Sequence, residues 1–188
     1  MNRPSLLFWI LLAALFAVQL VVPSSMIMKQ KQVQREGTTF LFELDAIDPT
    51  DPFRGSYIIL NPKENFIKLR SFDPSNSIDN YAYFENNTQG YAEIAGLSSE
   101  RPQHSDYLKV EASGRFYKMD SIYKVRIGYP FERYYVNENI AEDAEKLIRK
   151  VLSDSSQTSY AEVKILDGYH SLIDVKVNGK SLNQLISK

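Results

Sequence analysis

Leu6 to Val22, LLFWILLAALFAVQLVV, holds one polar residue, Gln19, and no charge, and the chain stays weakly polar through Pro23, Ser24, Ser25 and MIM until Lys29. An apolar helix needs about 20 residues to cross a hydrocarbon core, within a range of roughly 17–25. The run meets that requirement, so the chain begins with a segment that no water-soluble core has to absorb. A cleaved signal peptide competes with a retained anchor, but its apolar region runs to only about 7–15 residues and ends in a small-x-small site. VVPSSM is a poor cleavage site. Residues 1–28 therefore read as a signal-anchor with a transmembrane helix at about 6–26, which makes the lipid bilayer a partner. Arg3 and the α-amine flank one end while Lys29, Lys31 and Arg35 flank the other, so the positive-inside count leaves orientation open.

Lys29 to Gly37, KQKQVQREG, is polar and ends in glycine, which reads as a tether at 29–37 leading to a soluble domain at 38–188. A domain of that length buries a core without disulfides or metal. With 22 Lys and Arg against 23 Asp and Glu, the net charge of −1 gives nucleic acid no field to answer, so no nucleic-acid partner is expected. The absence of cysteine excludes disulfides, thiolate metal sites and a cysteine nucleophile. No cofactor is expected.

Beyond the tether the punctuation is that of a β protein. TTFLFEL (38–44), SYIIL (56–60), NFIKLRSF (65–72), YAYFE (81–85), YAEIAGL (91–97), YLKVEA (107–112) and SIYKVRIGY (121–129) are short runs rich in aromatic and β-branched residues, separated by clusters such as DPSNS, NNTQG and SSERP. Ala161, Val163 and Ile165 alternate with Glu162 and Lys164, and Ile173, Val175 and Val177 with Asp174 and Lys176. Asp167-Gly168 turns between them, which predicts an antiparallel hairpin with one buried face. Between these strand regions, Ile140, Ala144, Leu147, Ile148 and Val151 form a stripe at helical spacing that predicts an amphipathic helix over 138–154. The fold class is mainly β within α+β: one antiparallel β-rich domain with one packed amphipathic helix, preceded by one transmembrane helix.

The most constrained short stretch is DPTDPFRGSY, 48–57. Proline pushes the residue before it out of the helical region, so Asp48 and Asp51 are held extended. At three residues per polyproline turn, Asp48, Asp51 and Arg54 stack along one edge. Gly55 permits positive φ or close backbone approach. Three readings stay open: a structural clasp in which Arg54 pairs with an aspartate, a stiff binding loop, and a carboxylate pair acting as acid and base. His104 and His170 lie far apart in sequence and make no zinc-ligand pattern.

The order of these motifs resembles that of the bacterial GDYXXLXY proteins, an uncharacterised family of membrane-anchored proteins. DPTDPFRG is similar to the family's DPxDPxRG stretch, GSYIILNP (55–62) to its GDYxxLxY signature, and YPFERYYV (129–136) to a downstream aromatic segment; a helix and a DG hairpin follow. Gly55, Tyr57 and Leu60 fit, whereas Ser56 replaces the aspartate and Pro62 the final tyrosine. The resemblance carries over Asp48, Asp51, Arg54, Gly55, Tyr57, Glu132, Arg133 and Tyr135 as matching positions, with no catalytic residue assigned. It implies an accessory or sensing role beside a polytopic membrane protein, and a C-terminal domain outside the bacterial cytoplasmic (inner) membrane. The expectation is a non-enzymatic binding module; the alternative is an envelope hydrolase using Asp48, Asp51 or Glu132 as acid and base.

Overall fold

The computed structural model describes residues 6–45, 57–72, 80–104, 106–117, 122–135 and 158–186. The helix expected at 138–154 lies outside them. The first element, α1, runs from Leu6 to Glu36. It is long and apolar enough to cross a membrane. Ser24 and Ser25, beside Pro23, donate their hydroxyls to the carbonyls of Leu20 and Val22 at 2.7 Å, which satisfies polar groups inside an apolar stretch.

α1 does not end near residue 26. It continues through the segment read above as a tether, because KQKQVQRE contains good helix formers and no breaker before Gly37. Its last turns also have a surface to dock on: Val33 is fully buried. The Gln34 side chain donates to the Ser171 hydroxyl at 3.2 Å, and Lys164 Nζ donates to the Gln34 carbonyl at 2.7 Å. Gly37 stops the helix, its N–H donating to the Val33 carbonyl at 2.9 Å. A Cβ at Gly37 would stand 2.5 Å from that carbonyl oxygen and 3.0 Å from the Ile165 oxygen, so the close approach requires glycine.

The strands are β1 (Thr38–Glu43), β2 (Tyr57–Ile59), β3 (Phe66–Leu69), β4 (Asn80–Asn86), β5 (Ala92–Ser98), β6 (Tyr107–Tyr117), β7 (Ile122–Gly128), β8 (Arg133–Tyr135), β9 (Ser159–Leu166), β10 (Tyr169–Val177) and β11 (Lys180–Ser181), followed by the short helix α2 (Leu182–Ile186). They form antiparallel sheets in the orders β1-β9-β10-β11, β2-β8 and β3-β7-β6-β4-β5. Mainly antiparallel β structure behind one long N-terminal helix is the expected class.

One core joins the sheets. Phe40 and Phe42 of β1, Val163 and Ile165 of β9, Phe84 of β4, Leu108 of β6 and Ile127 of β7 belong to a single buried cluster. Phe42 is its hinge, with ring centroids 5.2 Å from Phe84, 5.5 Å from Tyr129 and 4.8 Å from Phe131. Such tilted and edge-on pairs add to plain area burial.

The β9–β10 hairpin turns at Asp167 and Gly168, both with positive φ (52° and 84°), as Asp-Gly favours. Ala161, Val163 and Ile165 are all buried, and so are Val175 and Val177. Ile173 departs from the expected buried row: the register slips between Leu172 and Asp174, and the bulge leaves Ile173 41% exposed. Upstream of the bulge, His170 pairs with Ile165 and Ser171 with Lys164. His170 therefore shares the core side, and Ser171 shares the side that α1 covers.

Candidate functional site

β7 ends at Gly128, and Tyr129-Pro130-Phe131-Glu132 turns the chain into β8. Three contacts fix this turn. Phe131 is 2% exposed, its ring centroid 5.1 Å from that of Tyr129. The Tyr129 hydroxyl donates to the Glu64 carbonyl, and the Tyr129 N–H donates to the Glu132 carboxylate at 3.2 Å. Burial, with the Glu64 carboxylate adding to it, pushes the Tyr129 phenol well above its ordinary range, so it stays a neutral donor.

Beyond the turn, β8 alternates. Tyr134 is buried, while Arg133 and Tyr135 point outward beside exposed Glu132. Burial, helped by Asp174, raises the Tyr134 phenol as well, against a hydrogen bond with Asn183 that lowers it. β8 pairs with β2 in the register Tyr57–Tyr135 and Ile59–Arg133, and the Leu60 N–H donates to the Glu132 carbonyl at 2.7 Å. The Arg133 guanidinium lies 5.1 Å from the Tyr57 ring centroid, a cation–π arrangement.

Pro62 has a local explanation. It bridges Leu44, but the hydrogen bonds there run from Asp45 N–H to the Asn61 carbonyl and from Lys63 N–H to the Glu43 carbonyl. The position asks for no donor, which proline lacks.

Glu132, Arg133 and Tyr135 line a cleft of about 670 Å³, together with Tyr129, Pro130 and Phe131 of the turn, Lys109 and Glu111 of β6, and His170 and Leu172 of β10. Acidic (Glu111, Glu132) and basic (Lys109, Arg133) side chains line it beside aromatic rings, an arrangement that suits a ligand with both polar and flat apolar parts. His170 is half-buried, its ring 6.1 Å from that of Phe131, and burial holds its imidazole below the usual histidine range. Among the described residues no three His, Asp or Glu side chains converge to hold a metal.

Of the sequence-derived candidates, Glu132, Arg133 and Tyr135 come together in the cleft, and Tyr57 stacks against two of them from β2. Asp48, Asp51, Arg54 and Gly55 lie outside the described residues. Lys109, Glu111, His170 and Leu172 escape sequence reasoning. Outward alternation on β6 marks the first two as surface residues only, and nothing local reveals that β6 and β10 share a cleft.

Comparison with known proteins matches residues 19–175 to the family described as GDYXXLXY protein. No curated protein and no solved structure matches. The match takes in the last four residues of the apolar run, both motif segments and the C-terminal hairpin up to Val175; the chain belongs to the GDYXXLXY protein family.

Proposed function

We propose that this protein is a membrane-anchored, non-enzymatic binding or accessory module whose contact surface is the cleft between β6, the 129–135 segment and β10. The observation that supports this most directly is the lining itself: Glu132, Arg133 and Tyr135 stand at a cleft of about 670 Å³ beside aromatic and oppositely charged side chains. The Glu132 carboxylate accepts the Tyr129 N–H at 3.2 Å, which gives it a turn-closing role at the cleft. In this reading α1 is a single-pass anchor in the bacterial inner membrane, the domain is extracytoplasmic, and the partner is a polytopic membrane or envelope protein. The competing hydrolase reading rests on Glu132 in the cleft with Asp48 or Asp51 as a second carboxylate.

In-cell crosslinking of the full-length protein, followed by mass spectrometry, tests the proposal. A stoichiometric membrane partner crosslinked near 129–135 or 48–57 supports it, and Arg54→Ala is expected to leave folding intact while abolishing recovery of that partner. Absence of any specific partner from membranes rich in folded protein overturns it. Orientation has its own test, because the chain has no cysteine and Ser99 is exposed. Ser99→Cys should react with an impermeant maleimide on intact cells, whereas labelling only after lysis would reverse the topology.

A further inference from the structure

We propose that the edge of β10 from Tyr169 to Ile173, which no described strand pairs, rests on the lipid headgroups of the membrane that α1 enters, seating the domain on the bilayer instead of leaving it to swing from a tether. The proposal rests on reading α1 as a retained transmembrane anchor. α1 is one helix from Leu6 to Glu36, with Pro23 inside it, so its apolar part and its contact with the domain belong to the same element.

The order of contacts along that helix sets the direction. Lys29 Nζ lies 4.9 Å from the Tyr169 ring centroid, and the Gln30 side chain donates to the His170 carbonyl at 3.3 Å, both on β10. One turn later Gln34 reaches Ser171 on β10 and its carbonyl accepts Lys164 Nζ from β9. Gly37 then abuts Ile165 of β9 before β1 begins. The helix meets β10 before β9, and β1 follows it, so of these three neighbouring strands β10 lies nearest the membrane.

Distance agrees. Val22 to Lys29 spans about 10 Å at a rise of 1.5 Å per residue. The headgroup layer extends roughly 5–8 Å beyond the hydrocarbon on each side, and the apolar Met26, Ile27 and Met28 shorten the remaining gap.

The side chains suit that layer. Tyr169 is 53% exposed and Ile173 is 41% exposed. Tyrosine and lysine gather at membrane–water interfaces, where a ring or an aliphatic stem sits among apolar groups and the polar tip stays wet. Among the described strands, β11 covers only Lys176 and Val177 of this edge of β10. An open strand edge is a hazard in free solution; a headgroup layer shields it from other chains while hydrating its backbone. The same strand supplies His170 and Leu172 to the cleft, so seating β10 holds the cleft at the membrane surface.

The chain has one tryptophan, Trp9, inside the apolar run, so each step can be read separately. The full-length protein is reconstituted in phosphatidylethanolamine–phosphatidylglycerol vesicles containing acyl-brominated or headgroup-nitroxide lipid. Quenching of Trp9 fluorescence by the brominated lipid reports the anchor. In a Trp9→Phe background, Tyr169→Trp and Ile173→Trp each place the sole fluorophore on the edge. Ser99→Trp places it after β5, an exposed position on the other large sheet. Headgroup nitroxide is expected to quench both edge variants at least about threefold more than the Ser99 variant. Equal quenching at all three positions with Trp9 still quenched overturns the seated edge alone, and unquenched Trp9 overturns the anchor reading with it. If Tyr169→Trp disturbs folding, Ile173→Trp carries the same decision.

Discussion

Tyr57 and Tyr135 are direct partners across β2 and β8, with ring centroids 5.8 Å apart, and Arg133 lies over the Tyr57 ring from two residues up β8. Residues i and i+2 of a strand share a face. The pairing therefore gathers a cation and two phenols on one side, although the two segments are far apart in sequence. Long-range strand pairing, not sequence proximity, makes them one patch.

The stack should be measurable as a coupling. In a double-mutant cycle with Arg133→Ala and Tyr57→Leu, followed by urea unfolding in detergent micelles, the interaction term is expected at about 0.5–1 kcal/mol, the range for an exposed cation–π pair. A term near zero would show that Arg133 is held by other contacts.

Gly37 offers a sharper steric test. Gly37→Ala pushes a methyl into the Val33 carbonyl, which is backbone and cannot step aside, so a loss of about 1–3 kcal/mol is expected. Gly128→Ala is the control. Its added Cβ would meet nothing nearer than the Glu111 Cβ at 3.5 Å, ordinary contact distance, and stability should stay within about 0.5 kcal/mol of wild type. Equal effects at the two positions would contradict the packing described at the helix–strand junction.

Docking of the last turns of α1 predicts a protease signature. Val33 is fully buried, and Val33→Asp would leave a carboxylate there without a built partner. The turns should detach, exposing Lys29, Lys31 and Arg35 to trypsin while the β signal in circular dichroism persists. Cleavage is expected to accelerate at least about tenfold, the effect of losing roughly 1.4 kcal/mol of local protection. Unchanged cleavage would mean the segment is as open in the native protein as a true tether.

Why this segment reads as a tether in the sequence is instructive. Helical periodicity needs several apolar residues, and between Lys29 and Glu36 only Val33 is apolar; the docking relies on Gln30 and Gln34, whose hydrogen bonds leave no periodic trace. The major strands are legible because aromatic and β-branched runs have a period of two. β8 is not, since Arg133–Tyr135 is too short to show one. Ile173 fails for a different reason: alternation assumes an unbroken register, and the bulge at that residue shifts it. For the candidate site, the sequence resemblance singles out Glu132, Arg133 and Tyr135, but the cleft around them depends on bringing β6, β8 and β10 together, a long-range arrangement with no local signal.

His170 gives the pH prediction. Burial holds its imidazole below the ordinary value, so between the folded value and the unfolded value of about 6.5 the unfolded chain binds more protons than the native one. The sign follows: the contribution of neutral His170 is fully present above about pH 6.5 and is lost as pH falls below it. His170→Gln keeps a polar side chain at the cleft wall and removes the titration. In urea unfolding of the full-length protein between about pH 7.5 and 5.5, wild type should lose stability on acidification more steeply than the variant. Matching slopes would show that His170 exchanges protons with water as freely in the folded chain as in the unfolded one, and the cleft wall at β10 would then be wetter than its packing against Phe131 indicates.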